Sequence, residues 1–152
     1  MNKHITIALC AALLFAAPAR AQDETTPSAQ AEETAERLLP ESVNLSVVEG
    51  STVPDDCQYP ETISDTTSFE LACVTMPRST AGMIGAEYLA QLGQLGWRQG
   101  SYIEGGMTAV RVDANNCERV LNIFPADFPL GQTQSTTMVI WFVLERAPRC
   151  AS

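Results

Sequence analysis

Between Thr136 and Arg146 the chain alternates without leaving a polar face. Met138, Ile140, Phe142 and Leu144 fall on one side of an extended strand, and Val139, Trp141 and Val143 on the other. A strand that is apolar on both sides must be covered on both sides, so this segment predicts a central strand. Four other strands are predicted around it. Phe69, Leu71 and Cys73 alternate with Glu70, Ala72 and Val74 in a strand that ends at Pro77. Trp97 to Ile103 leads into the turn Glu104-Gly105-Gly106, and Met107 to Asp113 follows. Ala114-Asn115-Asn116, a turn that tolerates positive φ, precedes a strand from Cys117 to Phe124. Pro125 to Gln134 then reads as a long loop.

One segment has helical rather than strand periodicity. From a cap at Ser79 or Thr80 to about Leu95, Ala81, Ile84, Tyr88, Leu89, Leu92 and Leu95 form a broad apolar face. Gly82, Ala86, Ala90 and Gly93 form a stripe of small residues beside it, while Met83, Glu87, Gln91 and Gln94 point to water. Gly96 is placed to close the helix in a left-handed conformation. Glycine inside a helix costs up to about 1 kcal/mol relative to alanine, so packing sustains this helix more than propensity does. The small stripe admits either a closely packed neighbour or a ligand. The resulting order, β-α-β-β-β-β, predicts an α+β fold: a single helix on a mostly antiparallel sheet of four to five strands.

The pattern is different before residue 57. Lys3 and His4, an apolar run from Ile5 to Ala17, and Ala19-Arg20-Ala21 make up the three parts of a secretory signal spanning residues 1–21. Ala17-Pro18-Ala19 offers an alternative cut. The apolar run is shorter than the ~20 residues of a spanning helix, which argues against a membrane anchor. Leu9 occupies the place of a small residue, which argues against a lipoprotein anchor at Cys10. Residues 22–56 read as an acidic, largely disordered leader. Within it, Ala31 to Leu39 predicts a short helix stopped by Pro40, Val43 to Val48 a short edge strand, and Gly50 to Pro60 a loop carrying Cys57. The expected folded domain is 57–152.

Signal removal takes Cys10 and leaves Cys57, Cys73, Cys117 and Cys150. An even count in an exported chain predicts two disulfides with three possible connectivities. Cys57–Cys73 and Cys117–Cys150 are favoured, because they join neighbours and keep the loops modest. The chain-entropy model assigns about 3 kcal/mol to the first and somewhat under ~4 kcal/mol to the second. A zinc site is disfavoured because no pair has the close spacing of such ligands, and a redox enzyme because C-x-x-C is missing.

The charge is segregated. Residues 22–70 hold twelve acids and only Arg37 as a base, whereas residues 71–152 hold six of each sign. No basic stripe exists for nucleic acid or anionic lipid. The acidic stretch reads as a solvated leader, with a docking tail for a basic partner as the alternative.

The only histidine is His4 and the only lysine is Lys3, so the chain beyond residue 21 has neither. That excludes Ser-His-Asp and Cys-His catalysis, Schiff-base chemistry and a P-loop lysine. No cofactor is expected. Asp113, Glu118 and Asp127 are the candidates for a carboxylate hydrolase, which needs two acids within roughly 5–10 Å across a cleft. Asp55-Asp56 and Asp113 to Asn116 offer oxygens to calcium without EF-hand spacing. The Ala-rich signal suggests a bacterial chain, in which the glycosylation pattern of Asn44-Leu45-Ser46 is expected to be chance.

Phe124, Phe128 and Leu130, in a stretch stiffened by Pro125 and Pro129, are the candidate binding residues, read as a preorganised contact loop. The alternative is a loop folded back over the core. The leading expectation is a periplasmic (alternatively secreted), non-catalytic interaction module whose partner is another periplasmic protein. A binder of a small apolar ligand or lipid between helix and sheet, using the small stripe, is the alternative, and a carboxylate hydrolase comes third.

Overall fold

The computed structural model describes residues 36–151. Its elements are β1 (Arg37–Leu38), β2 (Leu45–Ser46), β3 (Phe69–Pro77), α1 (Ala81–Gln94), β4 (Arg98–Ile103), β5 (Gly106–Val112), β6 (Cys117–Phe128), β7 (Thr137–Glu145) and β8 (Arg149–Cys150). A six-stranded antiparallel sheet has the order β3-β7-β6-β5-β4, with β8 pairing beside β6. The predicted α+β class therefore holds, with one strand more than expected. That strand, β8, is two residues long, and the Cys117–Cys150 disulfide joins it to its register partner.

The doubly apolar segment is central, as its pattern requires. β7 lies between β3 and β6 and is buried from Val139 through Leu144. Its Ile140, Phe142 and Leu144 join the core on the helix side. Val139, Trp141 and Val143 join a second cluster on the opposite face with Cys73. Cys57, Tyr59 and Ile63 pack over that second face. The Cys57–Cys73 disulfide ties this cover to β3, with Cα atoms 5.9 Å apart. Trp141 Nε1 donates to the Cys57 carbonyl at 2.8 Å, so the buried indole is satisfied by the strap that covers it.

Helix α1 buries Ile84, Tyr88 and Leu92, one turn apart, against the first face. The Tyr88 ring meets Phe142 edge-on, with centroids 5.2 Å apart. The helix ends in a Schellman arrangement: Trp97 N–H reaches Leu92 O at 2.9 Å and Gly96 N–H reaches Gly93 O at 3.1 Å. Gly96 supplies the positive φ of 81° this requires.

Three local expectations are corrected. Arg37 and Leu38 form a strand with Ser46 and Leu45, not the end of a helix; residues 31–35 of that expected helix lie outside the described residues. Leu38, Leu39, Val43, Leu45 and Val48 are all buried in the main core, so apolar burial fixes the later part of the stretch read as leader. Finally, β6 continues to Phe128 where a loop was expected from Pro125. Past Ile123 the neighbour β5 has ended, and an edge position accommodates proline.

The ordered segment 37–53 seals one side of the helix–sheet seam. Tyr88 Oη accepts from Val48 N–H at 3.0 Å and bonds Ser51 Oγ at 2.8 Å. Gln91, expected to face water, instead pairs with both backbone groups of Ser46. Thr52 bridges to Thr75 on the outer edge of β3.

Candidate functional site

Among the described residues, nothing comparable fills the other side of the seam. There a cleft of about 700 Å³ opens between the first half of α1 and the nearby ends of the strands. Gly82, Gly85, Ala86 and Leu89 form its helix wall. Met138, Ile140 and Phe142 of β7, together with Ile123 of β6, form its floor. Met107 and the Gly105-Gly106 turn close one end, and Tyr102 stands at the rim, 79% exposed.

Sequence explains why the cleft exists. Gly82 has open space where a side chain would project, and Gly85 has only the Ile140 Cδ1 methyl at 3.9 Å from an added Cβ. Larger residues at these positions would fill the seam from the helix side. Gly106 acts differently. A Cβ there would run into the Ile123 carbonyl and approach Phe124 Cδ1 to 2.9 Å, so glycine lets β5 lie tightly against β6.

The polar inventory of the cleft is short. Tyr88 Oη is already occupied by Val48 and Ser51, and burial pushes its phenol pKa up. Tyr102 Oη receives Gln99 Nε2 at 3.0 Å. Among the described residues, Arg78 is the one charged residue in the lining. Its Nε donates to Ser135 O at 2.6 Å, its backbone N–H to Thr136 O at 2.8 Å, and its Nη2 pairs with Asp127. Nη1 has no partner among the described residues.

The residues singled out from sequence are distributed unevenly. Gly82 and Ala86 of the small stripe line the cleft, whereas Ala90 and Gly93 lie farther along the exposed helix surface. Phe124 and Phe128 are half-buried against the second core cluster. Leu130 remains 42% exposed, its N–H bound to Gln58 Oε1 at 3.1 Å. Two of the three thus contribute to the protein's own second cluster, and Leu130 is the exposed one.

The candidate carboxylates lie outside the cleft lining. Asp113 Oδ1 accepts from Asn115 and Cys117 N–H groups in its turn, at 2.8 and 3.0 Å. Glu118 is on β6 opposite Arg149, and Asp127 pairs with Arg78. No carboxylate among the described residues lines the cleft. Among the described residues, no cluster of three or more His, Cys, Asp or Glu could hold a metal ion. Asp56 is engaged in its own turn with Gln58 N–H at 2.9 Å. No described helix is long and apolar enough to cross a membrane.

The sequence reading missed Arg78 and Tyr102. Arg78 carried a usable signal: it is the sole cation between residues 38 and 97 and sits at the strand-to-helix junction. Tyr102 carried none, since its role depends on where the β4–β5 turn lands. No family model, no curated protein and no solved structure matches this chain.

Proposed function

We propose that this is an exported, non-catalytic protein that binds a small apolar ligand in the cleft between α1 and the sheet, with the periplasm as its compartment. One observation carries the reading: an open, apolar cleft of about 700 Å³ beside a seam that is otherwise densely filled. That volume is within the range of sites that enclose small molecules, about 300–1,000 Å³, and the mostly apolar wall with few polar groups is typical of them. The disulfides and the secretory-type start support export. The non-catalytic part rests on composition, since neither His nor Lys occurs beyond residue 21.

Docking to another periplasmic protein through Phe124, Phe128 and Leu130 draws less support, because the two phenylalanines are engaged in the protein's own second cluster. A hydrolase would need an acid pair that the cleft wall does not supply.

The test uses the neutral fluorophore N-phenylnaphthylamine and protein purified from a periplasm. Wild type is expected to bind it saturably. Gly85→Leu places a side chain over Ile140 and should weaken binding at least about tenfold, without lowering the urea midpoint. The reading is overturned by an absence of saturable binding, or by equal binding to both proteins.

A further inference from the structure

We infer that the ligand is a single-chain amphiphile with a carboxylate head, held with its chain under α1 and its head at Arg78. This deepens the apolar-ligand reading and rests on it. The cleft is chemically lopsided: its floor of Ile140, Phe142 and Ile123 is apolar, and the single charge among the described residues that line it is Arg78. A ligand apolar throughout would leave that guanidinium beside hydrocarbon, with no better partner than it already has. One that carries an anion at one end matches both parts.

The geometry of Arg78 selects the kind of anion. Ser135 O holds Nε and Thr136 O holds the backbone N–H, so the side chain is anchored at its base. Nη2 is shared with Asp127. The residues of this pair have side chains 44% and 32% exposed, and ion pairs at such sites are held weakly enough to exchange. A ligand carboxylate can therefore take the Nη edge in the two-pronged manner that guanidinium favours, with Asp127 turning to water. A phosphate dianion would place two charges beside Asp127 on a protein whose acids already outnumber its bases by nine. A monoanion meets less repulsion, which is why a carboxylate is assigned.

The experiment is displacement of N-phenylnaphthylamine by laurate or by dodecanol, which share a chain and differ in the head. At neutral pH, wild type should respond to laurate at a concentration about tenfold lower than to dodecanol, as a charge-assisted hydrogen bond would give. Arg78→Gln should abolish that preference. Asp127→Asn, which frees the guanidinium, should widen it several-fold while leaving dodecanol unchanged. If Arg78→Gln fails to fold, Asp127→Asn alone decides the matter through the sign of its effect. Equal displacement by the two ligands, or an unchanged preference in Asp127→Asn, overturns the carboxylate assignment and leaves apolar binding standing. Failure of the fluorophore itself to bind overturns both.

Discussion

Helix α1 rests on the same sheet along its whole length, yet its two flanks are built differently. On one side, residues 37–53 bring Leu38, Leu39, Val43, Leu45 and Val48 into the seam, and Tyr88 and Gln91 fasten that segment by its backbone. On the other side, Gly82, Gly85 and Ala86 face Ile123 and Ile140 across open space. The sealed side depends on a segment that wraps in from outside the strand–helix–strand core. Among the described residues, the open side receives only the short Gly105-Gly106 turn and the exposed Tyr102. Stability should therefore concentrate on one flank and binding on the other.

The largest effect should come from hollowing the sealed side. Leu45 is fully buried in a two-residue strand at the centre of the wrapping segment. Leu45→Ala should cost about 2–5 kcal/mol, the range for truncating a packed leucine. Leu89→Ala removes the same atoms from a rim position that is 40% exposed, and should cost well under half as much. Urea denaturation of the two variants measures the difference. Equal losses would mean that the two flanks are not energetically distinct.

A second test cuts the fastening instead of the packing. Tyr88→Phe leaves the Val48 N–H unpaired in the core and should cost about 1–3 kcal/mol. The same residue gives the fold an alkaline limit. Burial raises the phenol of Tyr88 and raises that of Tyr59, under the second face, to about 12 from the ordinary 10.0. The folded chain keeps these protons to higher pH than the unfolded chain does. Their contribution is thus complete below pH about 10 and disappears as pH rises through the folded values. The urea midpoint should stay level up to that point and then fall, less steeply in Tyr88→Phe. A midpoint that is flat through pH ~12 would contradict the burial of both rings.

Much of this architecture was legible in residue patterns, for reasons the two flanks make plain. β7 announced its central place because alternation on both faces has a single structural solution. Ile84, Tyr88 and Leu92 announced the buried helix face by their spacing. The disulfides followed from loop economy. What was not legible depends on long-range meetings. Residues 37–48 look like the end of an acidic leader because they follow an acidic stretch and because partners such as Tyr88, 40 residues beyond Val48, cannot be read locally. Gln91 looks solvent-facing until Ser46 arrives beside it. Phe124 and Phe128 suggest a contact loop because Pro125 reads as a break, whereas the edge portion of β6 carries it through to Phe128. Half of the small stripe proved to line the cleft, but Arg78 and Tyr102 join it only in three dimensions.

The smallest effect is also the most discriminating, because it predicts opposite signs for one methyl group. Gly85 has ordinary helical geometry on the open side, where an added Cβ meets only Ile140 Cδ1 at 3.9 Å. Gly85→Ala should stabilise the protein by about 0.5–1 kcal/mol, chiefly by narrowing the unfolded ensemble and restoring helix propensity. Gly50 is on the sealed side with φ of 83°, and an added Cβ would press to 3.4 Å from Ile84 Cδ1. Gly50→Ala should destabilise by about 1 kcal/mol, since alanine resists the left-handed region. Chemical denaturation resolves the two if they are measured side by side. Two losses would mean that the space beside Gly85 is filled in solution. Two gains would mean that the wrapping segment is not held against Ile84, and the distinction between a sealed and an open flank would fail.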